Sequence, residues 1–375
     1  MADGVSGWRI LAASSPGEVR VAVTHATALS DYAIWRPGSP DGVGDLHRGR
    51  VRARAPAMAG SFVALSGSTD GFLPDAEGGR EAIAGAVLAV RIIRAAQAGK
   101  GPRLTARVSD AERALAGTGA MALVRRGPGA VERFAGIYPD APVLTDDPAL
   151  VASLRPMLAD RIRRVPSVFD ESLKGEIAAL AEEDIALPGG GRMTVQPTRA
   201  LVAIDIDAGT ASRERAQKGA AQRSFNAGML PLLARQIRLR NLSGAIVVDL
   251  AGLSIRRRRT LGPVLEAALR TDPLQPRFLG FTGLGLAEIV RPRVHPPLHE
   301  MLAGPHAAGL AALRHLAPAL PGARGSAHLR AAPTLVAALQ SDPVALSDLA
   351  RRTGRALILQ SDPSLPANAW RFETD

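Results

Sequence analysis

The sequence contains no cysteine. Disulfide bonds, zinc sites built on thiolates and cysteine nucleophiles are therefore excluded. Any catalysis must rely on carboxylates, hydroxyls, histidines or bound metal ions.

Aromatic residues and long apolar runs are also scarce. Aromatic side chains make up 3% of the 375 residues, against 46% hydrophobic residues overall, so the buried cores should be aliphatic. No stretch reaches the roughly 18 consecutive apolar residues of a membrane span, and residues 1–4 show no basic and then apolar leader. We therefore expect a cytoplasmic protein, and its length predicts two or three modules at about 150 residues each.

Lysine is nearly absent although the chain is strongly basic. The formal net charge is +11, and of the 46 basic residues only Lys100, Lys174 and Lys218 are lysine. Such a charge is typical of proteins that bind phosphate backbones, because binding releases counterions. A composition biased by GC-rich coding explains the same charge, so the positions of the arginines matter more than their number.

Two apolar segments each end on an acid. Residues 200–205 end on Asp205 and residues 244–249 end on Asp249, with an amphipathic, arginine-rich helix pattern between them. Strand, helix, strand in one sheet makes the strands parallel and brings both carboxylates to the same edge. Paired carboxylates attract Mg²⁺ or Mn²⁺, which can activate water against a phosphodiester. The alternative is that either aspartate only caps a helix or stabilises a turn.

The remaining patterns indicate a chain of several parts. Short β-type runs separated by turn residues between 46 and about 108 predict a small barrel. The Asp147-Pro148 pair predicts a helix start, and 187–192 predicts the turn of a hairpin. A helix and a small α/β tail follow after about 304.

Several motifs together resemble the ribonuclease E/G family. They are residues 203–207, 234–244 and 246–249, with further matches at 18–23, 71–74 and 285–293. The resemblance implies a mixed α/β (α+β) fold of several parts. These would be a ribonuclease H-like subdomain (1–40 and 135–182), an inserted S1-like, OB-type barrel (41–108), a reduced remnant of a 5′-end sensor (109–134), a DNase I-like catalytic subdomain (183–303) and a small C-terminal domain (304–375).

The same resemblance implies a metal-dependent endoribonuclease. Such an enzyme cuts single-stranded RNA, leaves a 5′-phosphate and a 3′-hydroxyl, and acts in processing or decay of ribosomal or messenger RNA. Asp205 and Asp249 fall on the metal-binding aspartates of the family, with Mg²⁺ or Mn²⁺ as cofactor and no zinc. Asp207 falls where the family usually has asparagine, and we expect it to assist these two acids.

The resemblance and the charge pattern also suggest RNA-binding residues. Phe62 and Phe72 match aromatic positions on which bases stack, although either could be ordinary barrel core. The basic candidates are Lys100, Arg125, Arg126, Arg235, Arg238, Arg240, Arg256, Arg257, Arg258 and Arg259. Those between 235 and 240 and between 256 and 259 could instead belong to a solvated face.

Departures from the family pattern are equally specific. Without cysteine, the zinc link that joins subunits is excluded, so we expect a monomer or a weak dimer. Arg125 matches the sensor arginine, but Arg126 replaces its threonine partner, and Gly252 stands where the family has a second acid. Two rival hypotheses remain: a catalytically weak or inactive RNA-binding relative, and a ribosome-associated assembly factor.

Overall fold

The computed structural model describes residues 7–67, 70–97, 99–209, 218–322 and 326–374. The chain divides into two compact units. The first comprises Met1–Pro40, Ala130–Pro292 and Pro297–Asp375, and the second comprises Asp41–Gly129 and Arg293–Pro296. In sequence, the second unit therefore interrupts the first twice.

Strands and helices alternate through most of the described ranges. The strands are β1 (Trp8–Ser15), β2 (Glu18–His25), β3 (Ala28–Trp35), β4 (Leu46–Ala55), β5 (Gly60–Ala64), β6 (Gly71–Pro74), β7 (Val87–Arg94), β8 (Arg103–Thr105), β9 (Ala122–Arg125), β10 (Val143–Thr145), β11 (Ile162–Arg164), β12 (Asp184–Leu187), β13 (Gly191–Pro197), β14 (Val202–Asp207), β15 (Gly244–Asp249), β16 (Arg277–Phe281), β17 (Ala287–Arg291), β18 (Ala327–Ala331), β19 (Leu357–Ser361) and β20 (Trp370–Thr374). The helices are α1 (Asp110–Ala116), α2 (Ala130–Ile137), α3 (Pro148–Leu158), α4 (Glu171–Ala179), α5 (Lys218–Leu239), α6 (Ile255–Arg259), α7 (Gly262–Leu269), α8 (Leu298–Leu302), α9 (Gly304–Leu316), α10 (Pro333–Gln340) and α11 (Pro343–Thr353).

The first sheet of the first unit has the strand order β11-β10-β1-β2-β3. β1, β10 and β11 are mutually parallel, whereas β2 is antiparallel to both β1 and β3. Ile10 and Val21 are fully buried in a core shared with α2 and α3. α3 begins at the predicted place, because the Asp147 carboxylate accepts a hydrogen bond of 2.8 Å from the backbone N–H of Ala149 and satisfies the first turn.

The second sheet contains the predicted strand–helix–strand unit and has the order β12-β13-β14-β15-β17-β16. β14 and β15 are parallel, as predicted, and the other neighbouring pairs are antiparallel. α5 buries Leu230, Leu233 and Ile237 in the core of this sheet. The helix begins at Lys218, which places Pro231 in its interior. The proline ring removes one backbone donor from the middle of the helix.

A hairpin precedes this unit, as the residues at 187–192 predict. Pro188–Gly190 form its turn between β12 and β13. β13 then pairs with β14 and brings Thr194 opposite Asp205 and Arg192 opposite Asp207. The strand that carries two of the candidate acids is therefore an interior strand of the sheet.

The third sheet has the order β19-β18-β20 and forms the end of the described chain. β18 is parallel to β19 and antiparallel to β20. α9, α10 and α11 cover it with a separate aliphatic core that includes Leu313, Leu329 and Leu339. The small α/β tail expected after about 304 is therefore present.

The second unit is a β-barrel. β4, β5, β6, β8 and β7 form a closed ring, since β4 pairs with both β5 and β7, and β9 adds to the outside of β4. Val51, Val63, Leu73 and Leu104 fill its interior. A closed five-stranded barrel is consistent with an OB or S1 type.

The mixed α/β fold class and the barrel are thus confirmed. The compact barrel unit extends beyond the predicted end at 108 to Gly129, and it includes Arg293–Pro296, where the Val294 carbonyl accepts a hydrogen bond from the backbone N–H of Ala95. The division into ribonuclease H-like, sensor, DNase I-like and C-terminal parts stays a prediction. Within the described ranges, no helix is both long and apolar enough to cross a membrane.

Candidate functional site

Three carboxylates lie at one edge of the second sheet. Along β14, Ile204 and Ile206 are buried in the core, and the alternation of a strand therefore turns Asp205 and Asp207 to the opposite face. Asp205 and Asp249 are direct register partners in the parallel pair β14–β15. The structure thus brings together the two acids that the sequence predicts as a pair.

Two neighbouring carboxylates, those of Asp249 and Asp207, act on Asp205. Partial burial at the sheet edge raises the pKa of Asp205, although the side chain keeps contact with solvent, and the neighbouring charges of Asp249 and then Asp207 raise it further. Like charges disfavour one another's ionised forms. A cation placed at this edge would relieve that repulsion.

A cavity of about 240 Å³ opens at the same edge. Its lining includes Asp205, Asp207, Gln222, Asp249, Gly252 and Arg258. Polar groups from β14, from β15, and from the helices on either side of β15 therefore converge on one concave space, as is typical of the carboxyl ends of strands in open α/β sheets.

Arg258 enters this cavity as a counter-charge. Its Nη1 donates to Asp249 Oδ1 at 2.5 Å and to the Gly285 carbonyl at 2.9 Å, while its Nε donates to the Leu253 carbonyl at 2.9 Å. The Arg258 side chain is 13% exposed and the Asp249 side chain 49%. A short charge-assisted hydrogen bond therefore occupies one oxygen of one candidate acid.

The donor set is sparse but suits Mg²⁺. Among the described residues, no group of three or more histidine or acidic side chains is placed to hold a metal ion. Mg²⁺ commonly binds through only one or two carboxylates and keeps several waters or substrate phosphates. Asp205 and Asp249, with mutually repelling charges, fit this mode of binding, whereas a fully enclosed protein site is not formed.

Gly252 shows why a further acid is absent at this edge. Its φ is +56°, and a Cβ at this position would lie 2.4 Å from Nε2 of Gln222. The backbone conformation and the Gln222 side chain thus occupy the position where the resemblance places a second acid.

Two predicted aromatic residues lie together on the barrel. Phe62 on β5 and Phe72 on β6 are register partners whose ring centroids are 5.6 Å apart at 64°. Phe62 is 37% exposed, so it is not a core residue. The Phe72 ring lies over Gly60, where a Cβ would be 2.5 Å from Cζ.

The row of partners continues into basic residues that the sequence reasoning missed. Phe72 is the register partner of Arg103 on β8, and Arg103 is the partner of Arg94 on β7. Partners across a sheet present their side chains on the same face. Phe62, Phe72, Arg103 and Arg94 therefore form one line across four strands, which we name the barrel row.

Arg94 sits among like charges. Burial, followed by the charges of Arg103 and Arg293, lowers the pKa of Arg94, and its buried Nε has no hydrogen-bond partner among the described residues. These arginines are scattered along the chain, and only knowledge of the barrel register could have grouped them. Such a cluster is suited to an anion.

Other predicted basic residues of the barrel unit are differently placed. Lys100 is exposed. Arg125 donates to Glu112 at 2.7 Å, and Arg126 is paired with Asp45, yet each side chain is about half exposed. These two arginines can meet an anion only in competition with their acidic partners.

Three predicted RNA-binding arginines, two on α5 and one directly after it, are engaged inside the first unit. Arg235 donates to the Leu29 carbonyl at 2.8 Å and pairs with Glu176, and Arg238 forms two hydrogen bonds to Asp31. Arg240 is 6% exposed and donates to backbone carbonyls. These guanidinium groups can therefore meet RNA only in competition with internal acceptors, and their role in RNA binding stays a prediction.

The arginine run after β15 separates into two kinds of residue. Arg256, Arg257 and Arg259 on α6 are exposed, whereas Arg258 turns inward to Asp249. Four adjacent arginines thus contribute three exposed charges and one that belongs to the carboxylate site.

Fold and site together define a mixed α/β protein with a strand-end carboxylate site and a closed five-stranded barrel. Residues 144–294, which include both paired acids, match the family model described as Ribonuclease E/G family. Over these residues the chain is similar to the ribonuclease E/G family.

Similar proteins carry the same family names. Ribonuclease E of Nostoc sp. (strain PCC 7120 / SAG 25.82 / UTEX 2576) is 35% identical over 141 residues, which cover 37% of this chain and 19% of that protein. Ribonuclease E of Escherichia coli (strain K12) is 29% identical over 173 residues, covering 42% and 16%. Ribonuclease G of the same strain is 32% identical over 139 residues, covering 36% and 27%. The matched part therefore spans less than a third of each of these relatives.

Proposed function

We propose that this protein is a metal-dependent endoribonuclease that cuts single-stranded RNA at the edge of the second sheet. The observation that carries the proposal is the register pairing of Asp205 with Asp249 at the ends of two parallel strands, inside the part of the chain that matches the family. Curated relatives named Ribonuclease E and Ribonuclease G support this class of reaction.

Asp205 and Asp249 would hold the divalent ion, Mg²⁺ or Mn²⁺. A divalent ion bound there supplies an ionised water at neutral pH and neutralises charge on a phosphodiester. Asp207 supports the site from the same face, and its Oδ1 accepts a hydrogen bond of 3.0 Å from the backbone N–H of Gly209. This contact fixes one oxygen of Asp207, which also lines the cavity.

The barrel row would hold the RNA strand. Stacking of a base on an exposed aromatic ring contributes about 1–3 kcal/mol without reading sequence. Phe62 and Phe72 suit this role, and Arg94, Arg103 and Arg293 supply positive charge for the phosphates on the same surface. Exposed Arg256, Arg257 and Arg259 offer further phosphate contacts near the carboxylates.

The test is cleavage of a labelled single-stranded RNA by purified protein with and without Mg²⁺. Asp205→Asn and Asp249→Asn keep side-chain volume but remove the charge that binds the ion, and each should reduce cleavage about 100-fold or more, since metal-ion stabilisation amounts to several kcal/mol. RNA affinity should stay within about twofold, because base stacking and phosphate contacts remain.

Asp140→Asn is the matched control. Asp140 is an exposed acid of the same unit, outside the cavity, so its replacement should leave cleavage unchanged. Cleavage at the wild-type rate by the double variant of Asp205 and Asp249 would sink the assignment.

A second candidate function is RNA binding without efficient cleavage. Arg258 on Asp249 and glycine at 252 favour it, because both reduce the acidic donor set. In the same assay, RNA retained by the wild-type protein in Mg²⁺ without products would identify this function.

A further inference from the structure

Arg258 is fixed beside Asp249 by more than the ion pair. Its Nε and Nη1 each donate to a backbone carbonyl, those of Leu253 and Gly285, both at 2.9 Å. Two carbonyls from separate loops therefore orient the guanidinium independently of its ion pair with Asp249. Its low side-chain exposure, 13%, also limits replacement of these contacts by water.

The guanidinium and a divalent ion would compete for the same acid. A carboxylate oxygen that accepts a short charge-assisted hydrogen bond is a weaker ligand for a second cation, and the two positive charges repel at close range. Arginine stays protonated at all ordinary pH values, so this competition is permanent.

We propose that Arg258 is a positioning residue that acts as a built-in cation on Asp249 and weakens metal binding at the carboxylate site. The proposal rests on the proposed function, because it takes Asp205 and Asp249 as the metal ligands. Its consequence is a site that binds the divalent ion weakly in the RNA-free protein.

The experiment is calorimetric titration of the RNA-free protein with Mn²⁺, which needs no turnover. Arg258→Gln removes the competing charge while keeping a hydrogen-bonding side chain. Its Mn²⁺ affinity should exceed that of the wild type about tenfold, the size expected for loss of one hydrogen bond to a charged group. Asp249→Asn should weaken binding in both backgrounds.

Arg256→Gln and Arg257→Gln are the matched controls. They remove the same charge from the same helix, but the side chains are exposed, so the affinity for Mn²⁺ should change by less than about twofold at 0.15 M salt, where such charges are screened. An equal gain in Arg257→Gln and Arg258→Gln would overturn the proposal, as would no gain in Arg258→Gln.

Two further outcomes are kept distinct. If Arg258→Gln does not fold, as judged by circular dichroism, Arg258→Met decides: methionine keeps a long side chain without the charge, so binding tighter than wild type supports the proposal and equal or weaker binding overturns it. If no protein binds Mn²⁺, the metal assignment itself fails. If wild type binds and Asp249→Asn does not, but Arg258→Gln equals wild type, only the role of Arg258 fails.

Discussion

At the scale of single residues, Gly252 shows how the site depends on backbone conformation. Its φ of +56° belongs to the left-handed region, which a side chain disfavours. A Cβ would also displace the Gln222 amide, 2.4 Å away, which lines the same cavity. The local shape of the carboxylate site is therefore maintained by the absence of a side chain.

Replacement of Gly252 by alanine should lower the free energy of unfolding by about 1–2 kcal/mol, the cost of a left-handed conformation for a residue with a Cβ. Gly228→Ala is the matched control, since Gly228 lies exposed in α5 with nothing near its ideal Cβ. There the same change should stabilise by about 1 kcal/mol through helix propensity. Urea denaturation, monitored by circular dichroism, measures the free energy of unfolding of both variants. Equal changes in the two variants would contradict the role assigned to the backbone conformation of Gly252.

The candidate acids were predictable from sequence, but Arg258 was not. Asp205 and Asp249 each end an apolar strand, and parallel pairing then requires them to meet. The four consecutive arginines look alike in sequence. Only the positions of the Leu253 and Gly285 carbonyls distinguish Arg258 from Arg257, and Gly285 lies 27 residues away.

At the scale of elements, α1 is tied to the barrel through one acid. Glu112 completes a capping box with Ser109 and also accepts hydrogen bonds from Arg91 on β7 and Arg125 on β9. The hydrogen bond from the Ser109 backbone, followed by Arg91 and Arg125, holds the pKa of Glu112 below its usual value despite burial. A single carboxylate thus links a helix start to two strands.

The barrel should therefore lose stability in acid. Because the pKa of folded Glu112 is lowered, its stabilisation is complete above the unfolded value of about 4.3 and is lost as pH falls through the lower folded pKa. Glu112→Gln should lower stability at pH 7 and flatten this acid limb. Hydrogen exchange of barrel amides at several pH values measures the stability of the barrel in both proteins. Glu171 is an exposed acid in the first turn of α4, so the control variant Glu171→Gln should leave the loss of stability in acid unchanged. The same flattening in that control would contradict the role of Glu112.

Sequence patterns predicted the helices and strands better than the contacts between them. The strand–helix–strand unit, the hairpin turn and the α3 cap follow from local periodicity and capping chemistry. Arg238 on α5 binds Asp31, 207 positions earlier. A helix pattern indicates which side is polar, but not which distant acid will meet it, so the sequence did not show that Arg238 has an internal acid as its partner.

At the scale of the whole molecule, the net charge of +11 does not show how many basic side chains a polyanion could reach. Many arginines bind internal acids or carbonyls, as Arg36, Arg161 and Arg291 do. The charges that matter for a polyanion are those next to other cations, such as Arg94 beside Arg103 and Arg293. The net charge therefore overestimates the positive charge that a polyanion would meet at the surface.

The salt dependence of RNA affinity should separate the two parts of the barrel row. Arg103→Gln should reduce the slope of log affinity against log salt by about 0.7, the value for one phosphate contact on a single strand. Phe62→Ala should weaken binding by about 1–3 kcal/mol with the slope unchanged, since stacking releases no counterions.

Arg155→Gln controls for charge, because it removes an exposed arginine from α3 in the other unit and should leave the slope within error. Fluorescence anisotropy with a labelled oligonucleotide in Ca²⁺, which replaces Mg²⁺ to prevent cleavage, measures all three between roughly 50 and 200 mM salt. A slope altered equally by Arg103→Gln and Arg155→Gln would mean that RNA responds to overall charge and not to the barrel row. A slope altered by Phe62→Ala would mean that the ring acts by positioning basic groups, so that stacking and phosphate binding on this surface are not separable.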